Sequence, residues 1–145
     1  MINLIWRNIM NTETVGTTTQ EKPLQKKYLP AILFLAEKMA EADKRLDKKE
    51  RILIRQLADA ANMSNFHHDK DFLKLNEDKA CQKLDNERAR KAALVVLSLV
   101  LKADGMRRPE EFKYFRHVRN KLQADPISVP TELTAHKEEA LKYFC

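Results

Sequence analysis

The stretch Ala92–Leu101 is the feature that most constrains how this chain folds. Apart from Ser98, every residue in it is apolar. A helix with this composition is hydrophobic around its whole circumference and requires neighbours on all sides. It is also far shorter than the roughly 20 residues that a bilayer-spanning helix needs. The sequence therefore predicts a helix over about 86–103 at the centre of a helical domain.

Apolar residues that recur every three or four positions predict further helices before and after the central one. The predicted helices cover about 28–43, 48–62, 109–124 and 135–144, with two shorter ones in 63–84. The chain contains only two glycines and five prolines, which favours long helices over sheets joined by tight turns.

We therefore predict an all-α fold, a compact bundle of about six to seven helices. Residues 23–145 are expected to form a single domain, preceded by a flexible, Thr-rich tail at 1–22. Asp85 is predicted to cap the central helix. On the helix over 109–124, the residues expected to point inward are Phe112, Phe115, Val118 and Leu122.

An internal repeat relates the helices on the two sides of 63–85. Ala42-Asp43 and Ala103-Asp104 each end an apolar helix, and a glutamate follows the aspartate after seven residues. These glutamates, Glu50 and Glu111, lie in the first turn of the next predicted helix. The pattern predicts two related helix–turn–helix hairpins.

The acidic residues of the first turn have two interpretations. In one, they stabilise a helix end, with Asp47 as N-cap and Glu50 in the first turn of the helix. In the other, Asp43, Asp47 and Glu50 converge across the turn and bind a divalent cation (Ca²⁺, Mg²⁺ or Mn²⁺) through oxygen.

Asp104 and Glu111 form the corresponding pair in the second turn, so they are candidate ligands for the same kind of cation. Arg107 and Arg108 lie between them in the sequence and would repel a cation. The interpretation as a stabilised helix end is therefore stronger for the second turn than for the first.

These features resemble the tellurite-resistance TerB-like family over roughly residues 28–124. The resemblance is carried by Ala42-Asp43 with Leu46–Glu50, and by 85–105 with Pro109-Glu110-Glu111. It implies an all-helical bundle with pseudo-twofold repeats, no known enzymatic activity, and an association with stress and metal-oxyanion resistance. It also implies roles in membrane-associated complexes and divalent-metal binding, for which the matching positions are Asp43, Glu50, Asp104 and Glu111.

The sequence contains no motif for enzymatic chemistry. A glycine-rich phosphate loop and a Ser–His–acid pattern are both missing. Neighbouring His67 and His68 would point about 100° apart on a helix, so surface positions are expected rather than a shared metal. With no export signal and two cysteines, we expect a cytoplasmic, non-enzymatic module that docks a protein partner.

The net charge of +6 leaves nucleic-acid binding as an alternative function. The helix over 109–124 carries cations opposite its apolar residues, and two arginines precede it. The candidate phosphate-contacting residues are Arg107, Arg108, Lys113, Arg116 and Lys121. Against this alternative, the helix begins with Pro109-Glu110-Glu111, where a groove-reading helix usually carries Asn, Gln or Arg.

Overall fold

The structure, a computed structural model, describes residues 22–42, 48–103, 109–122 and 133–145. These ranges contain helices and turns and no strand, which confirms the predicted all-α class. The α-helices are α1 (Leu29–Ala40), α2 (Lys48–Ala60), α3 (Lys70–Leu73), α4 (Glu77–Lys83), α5 (Glu87–Lys102), α6 (Pro109–Leu122) and α7 (Leu133–Phe144). No helix in the described ranges has the length and apolar character that crossing a membrane requires. Except for Lys22, the predicted tail lies outside these ranges.

Two helices, α5 and α1, pack against each other at the centre of the bundle. Residues 92–100 of α5 are buried on every side of the helix, as predicted from Ala92–Leu101. The Ser98 hydroxyl donates a hydrogen bond to the Leu94 carbonyl oxygen at 2.9 Å, so the polar group in this run is satisfied within its own helix. Helix α1 shares the central position, because Leu33 and Leu35 on different sides of it are both fully buried.

The chain contains the same three-helix arrangement twice. Helix α1 packs against α2 and α4, and α5 packs in the same way against α6 and α7. The contacts between the halves also correspond: α1 touches α6 as α5 touches α2, and α4 touches α6 as α7 touches α2. The two predicted hairpins are therefore α1–α2 and α5–α6. Each is completed by a third helix, to which the repeat in the sequence does not extend.

Corresponding positions of the two hairpins have similar burial. When Ala42 is aligned with Ala103, Leu57 on α2 corresponds to Val118 on α6, and Ala61 corresponds to Leu122. The Leu57 and Val118 side chains are both fully buried. The repeat in the sequence therefore describes a repeat in the packing, and positions on α2 and α6 can be compared one by one.

Helix α5 begins one residue later than predicted. The Asn86 side-chain oxygen accepts a hydrogen bond from the backbone N–H of Ala89 at 2.8 Å, which makes Asn86 the N-cap. The prediction that Asp85 caps this helix is wrong. Asp85 instead accepts a hydrogen bond from the Tyr28 hydroxyl at 2.7 Å, which links the start of α1 to the start of α5.

Helix α6 buries a narrower apolar face than predicted. Val118 is fully buried and Phe115 is half-buried, but Phe112 is 42% exposed, so its predicted inward position is wrong. Glu111 lies four residues before Phe115 and takes the inward position of the first turn. Phe112 is rotated away from the core and contacts the Arg116 guanidinium, 5.0 Å from the ring centroid.

Replacing Leu97 with alanine should lower the free energy of unfolding by about 2–5 kcal/mol, because this side chain is fully buried in the central helix. The matched change Leu73→Ala, at a side chain that is 66% exposed, should cost less than about 0.5 kcal/mol. Urea unfolding followed by circular dichroism measures both values. Equal losses would contradict the central position of α5.

Candidate functional site

The two repeated glutamates are buried at corresponding positions. Glu50 and Glu111 are each the third residue of their helices, and their exposed fractions are 0% and 1%. The other predicted cation ligands, Asp43, Asp47 and Asp104, lie outside the described residues. The structure thus places one carboxylate of each predicted set in the interior of the bundle.

The sequence contained a signal for this burial. Glu50 lies four and seven residues before Ile54 and Leu57, so it continues the apolar stripe of α2 towards the N-terminus. Glu111 has the same relation to Phe115 and Val118 on α6. Helical spacing alone would therefore have predicted that both carboxylates point inward.

A carboxylate is costly to remove from water unless it is paired, protonated or bound to a cation. Neither Glu50 nor Glu111 is without a partner. Both also lie in the first turn of a helix, where the helix dipole favours negative charge. Within the described ranges, no group of three or more His, Cys, Asp or Glu side chains is arranged to hold a metal. A cation at either turn would therefore need ligands from 43–47 or 104–108.

A groove of about 730 Å³ lies between the end of α1, the first half of α2 and the turn at 64–67. We call it the α1–α2 groove. Its volume is in the range of cavities that hold small ligands or several side chains of a partner. Buried apolar side chains form its floor, and Ile52, which is 47% exposed, lies at its edge. The floor residues are Ala40, Ile54 and Phe66.

Three exposed cations line the α2 side of the groove. Lys48, Arg51 and Arg55 follow one another at intervals of three and four residues, so they form one row along the helix. None of them makes a hydrogen bond or an ion pair with the described part of the chain. Their charges therefore face solvent at the edge of an apolar surface.

Two carboxylates line the opposite, α1 side of the groove. Glu37 is 2.5 Å from His67 Nε2, which ties the end of α1 to the turn at 64–67. Glu41, one helical turn further on, is exposed and makes no ion pair within the described ranges. The groove therefore has a basic side, an acidic side and an apolar floor.

The wall formed by the turn at 64–67 is held by aromatic packing. Phe66 is buried, and its ring meets that of Phe72 edge-on at 5.2 Å, while Phe72 meets Phe34 of α1 at 5.9 Å. The His67 ring lies against Phe66 at 4.0 Å. His67 and His68 are both exposed, as predicted, but His67 has the additional role of bridging this wall to Glu37.

The second hairpin has different side chains at the corresponding positions. Phe112 takes the place of Arg51, and it stacks on Arg116, the counterpart of Arg55. Lys102 takes the place of the acidic Glu41. The charge pattern of the α1–α2 groove is therefore a property of the first hairpin and not a consequence of the repeated fold.

The cations predicted to contact nucleic acid have different environments. Arg107 and Arg108 lie outside the described residues, and Lys113 and Arg116 are exposed on α6. Lys121 is paired with two carboxylates of α4. Its Nζ lies 2.9 Å from Glu77, and it also contacts Asp78. The basic surface of α6 is therefore partly neutralised by α4.

Glu77 is the centre of this α4–α6 contact. Its carboxylate also lies 2.7 Å from His117 Nε2. Partial burial raises the pKa of the Glu77 carboxyl, but hydrogen bonds and positive charge from Lys121 and His117 outweigh that effect and hold its pKa below the ordinary value. Burial, followed by the proximity of Glu77, raises the pKa of the Tyr114 hydroxyl on the same side of α6. Burial likewise raises the pKa of the Cys81 thiol, which disfavours its reactive thiolate form.

No family profile and no curated protein matches the sequence. Among solved structures, the chain is similar to a protein of unknown function from Porphyromonas gingivalis W83. The two share 13% sequence identity with a TM-score of 0.65, over 90% of this chain and 99% of the other. At this level of identity the similarity supports the helical fold and carries no information on function. The TerB-like resemblance stays a prediction.

The Glu77 contacts should make stability depend on pH. Because the pKa of Glu77 is lower in the folded state than its ordinary value of 4.5, the contacts stabilise the fold above that pH, and this contribution is lost as the pH falls through the folded-state pKa. Glu77→Gln should lower the free energy of unfolding by about 0.5–1 kcal/mol at pH 7, and the difference should shrink as the pH falls below 4.5. Urea unfolding across this pH range measures it.

The matched control is Glu138→Gln, at an exposed carboxylate on α7. It should leave the free energy of unfolding unchanged within about 0.5 kcal/mol at each pH. A loss for Glu77→Gln that did not shrink as the pH fell below 4.5 would show that its charge is not the cause.

Proposed function

We propose that this protein is a non-enzymatic interaction module of the TerB-like kind, and that a partner protein docks in the α1–α2 groove. The observation that carries the proposal is the combination of an apolar floor with three exposed cations along one side that form no ion pair with the described residues. Desolvating an apolar surface supplies affinity, and charges at the edge supply orientation and specificity. The role in stress or tellurite-type resistance rests on the family resemblance alone.

A protein partner accounts for the groove better than a small substrate does. Ile52 is an exposed apolar residue at its edge, and two arginines flank it on α2. Exposed apolar side chains next to arginines are typical of protein interfaces, whereas substrate pockets enclose most of their ligand. Leu73 and Phe112 are also exposed large apolar side chains of the described residues, but of the three only Ile52 lines the groove.

The proposal predicts where a partner can be captured. A photo-crosslinking amino acid at Ile52, in cells that express the full chain, should trap a partner. The same amino acid at Lys113, the exposed counterpart on α6, should not. Ser64→Trp, which adds a large side chain at the lining of the groove, should abolish capture from position 52. Mass spectrometry of the cross-linked bands provides the measurement.

Asn65→Trp is the matched control, because Asn65 is exposed next to Ser64 but does not line the groove. This variant should retain capture from position 52. The proposal fails if positions 52 and 113 trap the same proteins, or if Ser64→Trp leaves capture unchanged.

Cation binding at the turn that precedes α2 is a second candidate function. Full burial of the Glu50 carboxylate supports it, since a hard cation is one way to compensate buried negative charge. Glu50 is an oxygen ligand of the kind that Ca²⁺, Mg²⁺ and Mn²⁺ prefer. It supplies at most two of the roughly six ligands these ions need, so 43–47 would have to supply others.

Two-dimensional amide NMR of the metal-stripped full chain tests this candidate. Adding Ca²⁺, Mg²⁺ and Mn²⁺ in turn at physiological salt should produce saturable changes centred on 43–50. Glu50→Gln should remove these changes, and Glu111→Gln should leave them in place. No change at millimolar metal would mean that the Glu50 carboxylate stabilises the start of α2 and binds no cation.

A further inference from the structure

We propose that the occupant of the α1–α2 groove is an amphipathic helix of a partner protein with a row of acidic residues along one edge. This inference rests on the proposed function and specifies the chemistry of the partner. It is carried by the spacing of the cations, by the acidic opposite side and by the apolar floor between them.

The spacing of the cations matches a helix. Lys48, Arg51 and Arg55 span about 10 Å along α2, with one cation per helical turn. A helix that lies alongside α2 presents its own residues at the same period, so Asp or Glu at positions i, i+3 or i+4, and i+7 would meet the three cations in register. Interhelical charge pairs of this kind set partner choice and orientation in coiled coils.

The acidic side of the groove defines the second edge of the occupant. Glu37 is engaged by His67, and Glu41 is exposed and makes no ion pair within the described ranges. A basic or neutral second edge is therefore compatible with this side, and a second acidic edge is not. Because the two sides carry opposite charge, a helix with one acidic and one basic edge would bind in one rotational orientation.

The apolar floor accounts for the third face of the occupant. A groove of about 730 Å³ whose floor includes Ile54 and Phe66 can receive several apolar side chains, as amphipathic helices supply from i, i+3, i+4 and i+7. A free phosphate or a similar small anion would leave this floor empty and would reach only part of the cation row. Charge and shape together therefore favour a helix over a small anion.

The second hairpin shows that this surface is not inherent in the fold. At the positions of Arg51 and Arg55 it carries Phe112 and Arg116, which stack on each other. Arg116 is therefore a matched control cation, on a corresponding helix and at a corresponding position, but outside the groove.

The experiment is a selection from a displayed library of helical peptides in which the two polar edges and the apolar stripe vary. The full chain is the bait. Enriched peptides are then synthesised with a fluorescent label, and their affinities are measured by anisotropy for four proteins. These are the original chain, the double variant Arg51→Glu/Arg55→Glu, the control Arg116→Glu and the groove-filling Ser64→Trp. Circular dichroism of each variant confirms that it is folded.

The expected result is that enriched peptides carry Asp or Glu at i, i+3 or i+4, and i+7 along one edge. Their affinity should fall at least about tenfold for Arg51→Glu/Arg55→Glu and stay unchanged for Arg116→Glu. Peptides in which these acids are replaced by lysine should bind the double variant better than the original chain. Binding should persist in millimolar inorganic phosphate when the ionic strength is matched with NaCl.

Other outcomes overturn the inference in distinguishable ways. Peptides that lack an acidic row but are lost with Ser64→Trp would leave the docking function standing and remove the acidic helix. Full competition by inorganic phosphate would identify a small-anion site instead. A selection that yields no peptide sensitive to Ser64→Trp would overturn both the inference and the proposed function.

Discussion

The packing of α1 against α5 is the contact on which the rest of the structure depends. Residues 29–36 of α1 and 92–100 of α5 are buried on all sides, so each helix must be covered by other helices to leave water. Helices α2 and α4 cover α1, and α6 and α7 cover α5. The halves also share neighbours, since α6 reaches α1 and α2 reaches α5. The two central helices, α1 and α5, are thus each covered by two further helices in the same arrangement.

This twofold arrangement separates what must be similar in the two hairpins from what is free to differ. Leu57 and Val118 face the shared core and are both apolar, and Glu50 and Glu111 hold the same buried position. Outside the core the hairpins diverge, as where Arg51 corresponds to Phe112. Packing in the core constrains the buried positions. It does not constrain the exposed positions, which can change to suit a function. The exposed differences are therefore where a function specific to one hairpin is to be sought.

Helical periodicity predicted the fold because it reports how each helix is oriented towards the core. The apolar run Ala92–Leu101 predicted the central helix, and the repeated Asp…Glu spacing predicted the paired hairpins. The α1–α2 groove was not predictable in this way, since α1, α2 and the turn at 64–67 meet only in three dimensions. The predicted inward position of Phe112 was wrong because Glu111 takes the inward position of that turn. Hydrophobicity alone would predict that a phenylalanine is buried in preference to a glutamate.

The environment of the positively charged residues also could not be predicted from the sequence. Helices α2 and α6 each carry four Lys or Arg residues, so the number of cations does not distinguish the two. On α6, Lys121 is held by Glu77 and Asp78, so part of its charge is used in joining α4 to α6. On α2, Arg51 and Arg55 have no such counterparts in the described part of the chain, although α2 has the same place in the fold. A cation that is paired with carboxylates of its own chain, as Lys121 is, is less available to bind a partner. The apolar floor beside Arg51 and Arg55, and not the number of cations, therefore points to α2 as the binding surface.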